Sequence, residues 1–152
     1  MTPVSPPIGL HLAGGARVIS RAFDEALAGA GGSLPVWLVL LNLKARRPAN
    51  QRELAEAVGV TEATLTHHLN AMDTEGLITR RRDTTNRRIH VVELTEAGEE
   101  TFHRLRGTAV AFDQRLRQGI TTNELATFER VLDRLVRNVK GEDGAAPWPG
   151  RH

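Results

Sequence analysis

The chain has 152 residues, the size of one ordinary domain with room for a real core, and its 40% hydrophobic and 25% charged content excludes wholesale disorder. A formal net charge of only +2 beside a pI near 9.9 makes the placement of the basic residues, not their total, the informative quantity. The absence of cysteine excludes thiolate metal sites, thiol redox sensing and disulfide stapling.

Residues 1–7 hold three prolines and no periodicity, which predicts an extended arm. They lack a basic segment leading into a long apolar one, so no secretion signal is expected. From Ile8, apolar side chains recur at Leu12, Ala16, Ile19, Phe23 and Leu27, a helical spacing that the tract Gly29–Gly32 ends. Ser33 and Pro35 are suited to the cap and first turn of a second helix running to about Ala45, closed by Arg46, Arg47 and Pro48. Its apolar run LPVWLVLLNL is about half the length of a bilayer-spanning helix. The chain therefore reads as soluble and cytoplasmic.

In the segment NQRELAEAVGVTEATLTHHLNAMDTEGLI, 50–78, Asn50 caps a short helix with Glu53 as its capping-box partner. Gly59 breaks that helix, and Thr61 caps another in which Leu65, Leu69 and Met72 share one stripe. Gly76 stops it in the usual C-terminal position. Two short helices joined by a tight turn are the helix-turn-helix pattern. A hairpin follows, with strands expected around 77–81 and 88–94. Both parities of the second strand are apolar (Ile89 and Val91; Val92 and Leu94), so alternation does not say which face is inward. Two long helices complete the chain, one with Phe102, Leu105, Ala109, Phe112 and Leu116 in its seam. The other opens at Thr121 and Glu124 and carries Leu125, Phe128, Leu132, Leu135 and Val139. The tail at 141–152 is rich in Gly and Pro and is expected to be flexible.

The predicted fold class is mainly α with a small β-hairpin wing, a winged helix-turn-helix with a helical dimerisation region, in one domain over 1–152. The winged part is expected at 33–94 and the dimerisation helices at 8–30 and 96–140. In such an arrangement the second helix of the pair enters a DNA major groove, and the wing reaches the backbone or the minor groove. With Leu65, Leu69 and Met72 inward, the outward face carries Glu62, Ala63, Thr64, His67, Asn70 and Ala71. Thr64 and His67 are the candidates for base reading, Thr66 and His68 stand at the margin, and the helix start at Thr61 offers free amides to a phosphate. Around the turn lie Arg80, Arg81, Arg82, Arg87 and Arg88, with Asp83 among them. Arg87 and Arg88 are the better candidates for phosphate or minor-groove contact, while Arg80–Arg82 read equally well as a solvated strand surface. Symmetric pairing through the long helical seams would double the small footprint of one helix and one wing.

The stretch VTEATLTHHLNAMDTEGLITRRRDTTNRRIHVVELTEAG resembles the recognition helix and wing of MarR-type transcriptional regulators. The likeness rests on Gly76-Leu77-Ile78, on the Asp-plus-Arg-Arg wing and on Leu94-Thr95-Glu96-Ala97-Gly98, and it extends from Ile8 to near Lys140. It implies a homodimer on a palindromic operator, most often a repressor, released by a small and often aromatic ligand. Asp83, Arg87 and Arg88 match the family's wing motif, and Arg82, Thr64 and His67 fall in its DNA-facing segments. Asn86 and Thr85 stand where the family often has an acidic and a basic residue. A ligand pocket between the two parts of the molecule would draw on His11, Leu12, Phe23, Trp37, Leu41 and Phe102, although Trp37 reads first as core.

No cofactor is expected. The six histidines show no tight ligand spacing, so no metal site is assigned. No phosphate loop, nucleophile elbow or zinc-binding His-Glu helix is present, and Glu96, Glu99 and Glu100 are suited to a helix's first turn, so an enzyme is not expected. The alternatives left open are a winged-helix regulator without a small-molecule ligand and a protein-interaction module.

Overall fold

The computed structural model describes residues 4–45, 49–86 and 90–140. Residues 1–3, 46–48, 87–89 and 141–152 lie outside them, and with these the start of the expected extended arm, the expected end of the second helix, the Arg87 and Arg88 pair and the expected flexible tail. Along the chain run α1 (Ile8–Gly29), α2 (Leu34–Ala45), β1 (Ala49–Asn50), α3 (Gln51–Val58), α4 (Glu62–Thr74), β2 (Ile78–Arg82), β3 (His90–Leu94), α5 (Glu96–Arg117) and α6 (Thr122–Lys140). This is the expected class, mainly helical with one hairpin.

Polar caps set the helix starts. Asn50 Oδ1 accepts the Glu53 amide at 2.8 Å, Thr61 Oγ1 accepts that of Thr64 at 3.1 Å, and Thr95 Oγ1 accepts that of Gly98 at 3.0 Å. At α6 the Thr121 hydroxyl accepts the Glu124 amide at 3.1 Å and donates to its carboxylate at 3.0 Å. At the far end of α4, Gly76 takes φ of 77°, which lets the Leu77 amide reach back to the Met72 carbonyl at 2.9 Å. A side chain with Cβ is strained in that conformation, so the glycine fixes where α4 stops and the wing begins.

The three strands form one antiparallel sheet in the order β1-β3-β2. The short β1 was not legible in the sequence. It pairs Ala49 with Val92 and Asn50 with Val91, so β3 is flanked on both sides. The double-parity apolar pattern matches burial on both faces: Val91 and Val92 point to opposite sides of the sheet and both are buried. β2 runs one residue later than the expected 77–81, beginning at Ile78 because Leu77 completes the helix cap, and the expected start of the second strand at 88 lies outside the described residues.

One core unites α2, α3, α4, the sheet and the start of α5. Leu40, Leu54, Leu65, Leu69, Met72, Ile78, Val92 and Leu105 are fully enclosed in it. Leu27 joins this core from the end of α1, where Arg104 Nε donates to the Ala30 carbonyl at 2.8 Å, and the Phe23 and Phe112 rings stack at 5.0 Å. Along α5 burial fades with distance: Phe102 and Leu105 are buried, Phe112 is half-buried and Leu116 is exposed. In α6 no residue is buried, and Phe128, Val131, Val136 and Val139 stand in solvent. No single helix among the described residues is long and apolar enough to cross a membrane.

Candidate nucleic-acid interface

α4 divides cleanly into two faces. Leu65, Leu69 and Met72 are at most 1% exposed, whereas Glu62, Ala63, Thr64, His67, Asn70 and Ala71 are all exposed. Since side chains at i, i+4 and i+7 lie on one side of a helix, the buried stripe leaves the small and polar positions outward. Thr61 stands at the cap, donating its own hydroxyl proton to Thr64 Oγ1 at 3.0 Å. Thr66 is committed inside the protein: it donates to the Glu62 carbonyl at 2.8 Å and accepts from Gln51 Nε2 at 3.4 Å, which ties α3 to α4. His68 is half-buried and meets His67 edge-on, ring centroids 5.7 Å apart, while His67 is the more open of the two.

The wing separates the arginines by role. Arg80 Nη2 lies 3.1 Å from Asp73 Oδ2, at the end of α4, and Arg81 Nη2 lies 2.8 Å from Glu93 Oε1, on the neighbouring strand. Arg82 is exposed, with no carboxylate partner among the described residues. The sequence put these three on the same footing. Partners seven and twelve residues away distinguish them, and no local pattern announces such partners. At the tip, Asp83 Oδ1 accepts both the backbone amide and the hydroxyl of Thr85 at 2.9 Å. Those two bonds, with the Arg81 charge and the Asn86 amide, hold the Asp83 carboxyl below its ordinary range. Thr85 is thus the partner that shapes the turn around Asp83.

The residues considered for a ligand fall into three places. Trp37 and Phe102 stack at 5.7 Å between α2 and α5, both nearly buried, with Lys44 Nζ 5.8 Å from the centre of the Phe102 ring. Trp37 and Leu41 open onto a cavity of about 400 Å³, completed by Arg106, Ala109, Val110, Asp113 and Gln114 of α5. Phe23 packs on Phe112, and His11 is exposed near the start of α1. Of these five α5 residues the sequence singled out only Ala109, as part of the apolar seam. Their spacing of three, one, three and one traces a helical face beside the apolar seam, which is the signal that marks them. Among the described residues no group of three or more histidines and carboxylates is placed to hold a metal ion.

A helix, a tight turn, a second helix with one open face and a two-stranded wing define a winged helix-turn-helix. A model of the MarR family matches residues 33–90. Solved structures extend the likeness to most of the chain. The transcriptional regulator PA3341 is 31% identical over 88% of this chain and 98% of its own, with a TM-score of 0.73. The transcriptional repressor CouR, solved on a 23-mer DNA duplex, is 25% identical over 86% of this chain and 93% of its own, with a TM-score of 0.78. PcaV from Streptomyces coelicolor, solved with its natural ligand, shares the fold at 22% identity and a TM-score of 0.73, over 88% of this chain and 96% of its own. The chain belongs to the MarR family of transcriptional regulators.

Proposed function

We propose that the protein is a sequence-specific DNA-binding repressor that grips a palindromic operator as a homodimer and lets go when a small aromatic ligand binds. The observation that carries this reading is the open face of α4. Thr64 and His67 stand in solvent on a helix whose other face is fully enclosed, beside a wing whose stem presents Arg82. Short hydroxyl and imidazole groups at a capped helix start are suited to base edges, and the free amides after Thr61 are suited to a phosphate. In this reading Glu62 flanks the reading positions, Thr66 and His68 border the groove, and Arg82, Asp83, Arg87 and Arg88 form the wing contact. CouR, the neighbour solved on DNA, supports the assignment.

Pairing is supported by apolar surface with no use inside one chain. The start of α1 and the end of α6 face each other across a cavity of about 530 Å³, lined by Ile8, Leu12, Ala16, Leu132, Leu135 and Val139 among others. A soluble chain that exposes so continuous an apolar surface covers it by association, and a two-fold axis is the commonest way. Two recognition helices would then fall about one helical turn (~34 Å) apart on one side of the duplex. The cavity beside Trp37 and Leu41, with Arg106 and Gln114 as its polar groups, is of a size for a one-ring ligand. The ligand-bound PcaV supports ligand response in a chain of this shape.

The test is enrichment of bound duplexes from a random pool, followed by titration of the complex with hydroxybenzoates. We expect an inverted repeat bound by two chains, and release on adding the acid. Enrichment of nothing above background, or of a single asymmetric site bound by one chain, would sink the proposal. Binding that no hydroxybenzoate disturbs would remove the ligand from it.

A further inference from the structure

The two ion pairs that engage wing-stem arginines connect different things. Arg81–Glu93 joins adjacent strands of one hairpin and leaves the hairpin's attachment to the rest of the protein untouched. Arg80–Asp73 joins the hairpin to the recognition helix. Arg80 Nε and Nη2 approach Asp73 Oδ2 at 3.3 and 3.1 Å, a fork closed on a single oxygen. Arg80 is two residues along β2 from Ile78, so the two side chains share the face of the sheet that lies against α4. Ile78 is 1% exposed, and the Arg80 side chain, at 23%, is the more enclosed partner of the pair, Asp73 standing at 45%. Asp73 follows the buried Met72 in the last turn of α4.

This placement has leverage. Thr64 lies nine residues before Asp73 on the same helix, about 13 Å along its axis. A small rotation between α4 and the hairpin stem moves the reading face and the wing tip relative to one another, and a duplex meets both at once. Gly76, at φ 77°, is the backbone corner about which such a rotation turns, and the Arg80–Asp73 pair spans that corner. We infer that Arg80 and Asp73 are a positioning pair: they set the angle between recognition helix and wing and do not touch DNA. The inference rests on the reading of α4 and the wing as the DNA face. It removes Arg80 from the phosphate-binding charge that the sequence places around the turn.

The experiment compares Arg80→Ala, Asp73→Ala, the double variant and the exchange Arg80→Asp with Asp73→Arg. Each is measured on a duplex enriched by the wild-type chain and on a scrambled duplex, over a range of KCl, with a thermal melt beside it. Asp73→Asn serves where the alanine variants fold poorly. We expect each single change to weaken the enriched duplex roughly three- to tenfold, with the double variant no worse than either single one. The scrambled duplex is expected to be nearly unaffected, the salt slope unchanged and the exchange to recover part of the loss. A phosphate contact predicts a different pattern: Arg80→Ala would weaken both duplexes alike, the salt slope would fall by about one, and Asp73→Ala would tighten binding. That pattern overturns the inference, and so do single variants that bind like wild type. A wild-type chain that enriches no duplex overturns the DNA-face reading itself, and this pair's role with it.

Discussion

At the scale of single residues, the wing tip shows how a few polar atoms fix a turn. The Asp83 carboxyl, half-buried at the tip, is held below its ordinary range, first by the Thr85 backbone amide and then by the Thr85 hydroxyl. A depressed carboxyl stabilises the folded turn above the ordinary aspartate range, and that contribution is lost as pH falls through the depressed value. Replacing Thr85 with Val removes the second bond and keeps the first. An NMR titration of the Asp83 carboxyl should therefore show its midpoint rising part of the way to normal. An unmoved midpoint would mean that the hydroxyl has no hold on the turn. This detail was half legible in the sequence: Asp83 stood out as the carboxylate among the turn's arginines, but Thr85 read only as a missing basic residue. A backbone amide two positions on is the common partner of a turn aspartate, and the added bond from the hydroxyl is set by the folded turn.

At the scale of elements, the corner where α4, β2 and α5 meet is closed by several short contacts. Thr95 donates its hydroxyl to the Gly76 carbonyl at 2.6 Å and its amide to the Leu77 carbonyl at 3.1 Å, while its oxygen also caps α5. One residue after another closes the gap until Gly98 lies under the Leu77 carbonyl. A Cβ on Gly98 would collide with that oxygen and press on a Leu94 methyl. Gly98→Ala should therefore destabilise the fold by roughly 1–3 kcal/mol, read as a lower urea midpoint at unchanged slope. A neutral result would show that the corner yields easily. The Leu-Thr-Glu-Ala-Gly run was visible as the start of a helix, and the helix starts at Asn50, Thr61 and Thr121 were readable because capping is local chemistry. The close approach behind Gly98 was not readable, since it depends on a backbone twenty-one residues earlier.

At the scale of the whole molecule, the chain divides into an enclosed half and an open one. The core of α2, α3, α4 and the sheet closes on itself, whereas α6 buries nothing and the second half of α5 little. The repeats at Leu125, Phe128, Leu132, Leu135 and Val139 showed from the sequence that a seam exists; they did not show that one chain covers it only in part, leaving Phe128 and Val139 exposed and the three leucines half-buried. If a second chain covers it, Leu132→Glu with Leu135→Glu should give monomers by sedimentation and abolish binding to an inverted repeat. Retained dimers would place the partner surface elsewhere. The β1 strand escaped the sequence reading for a related reason. Two residues carry no periodicity, and only their pairing with β3 defines them.

The split of α4 into an enclosed face and an open one also bears on how such a protein changes over generations. Leu65, Leu69 and Met72 anchor the helix, while the outward side chains of His67, Asn70 and Ala71 contribute nothing to the core. Substitutions at those three sites are nearly free of folding cost, because exposed positions away from caps and ion pairs tolerate change. Asp73, one turn further on, does not share that freedom. If the open face reads bases as proposed, a gene duplicate of this chain can drift to a new target sequence without first acquiring spare stability, and a laboratory library aimed at retargeting belongs on His67 and its outward neighbours Asn70 and Ala71.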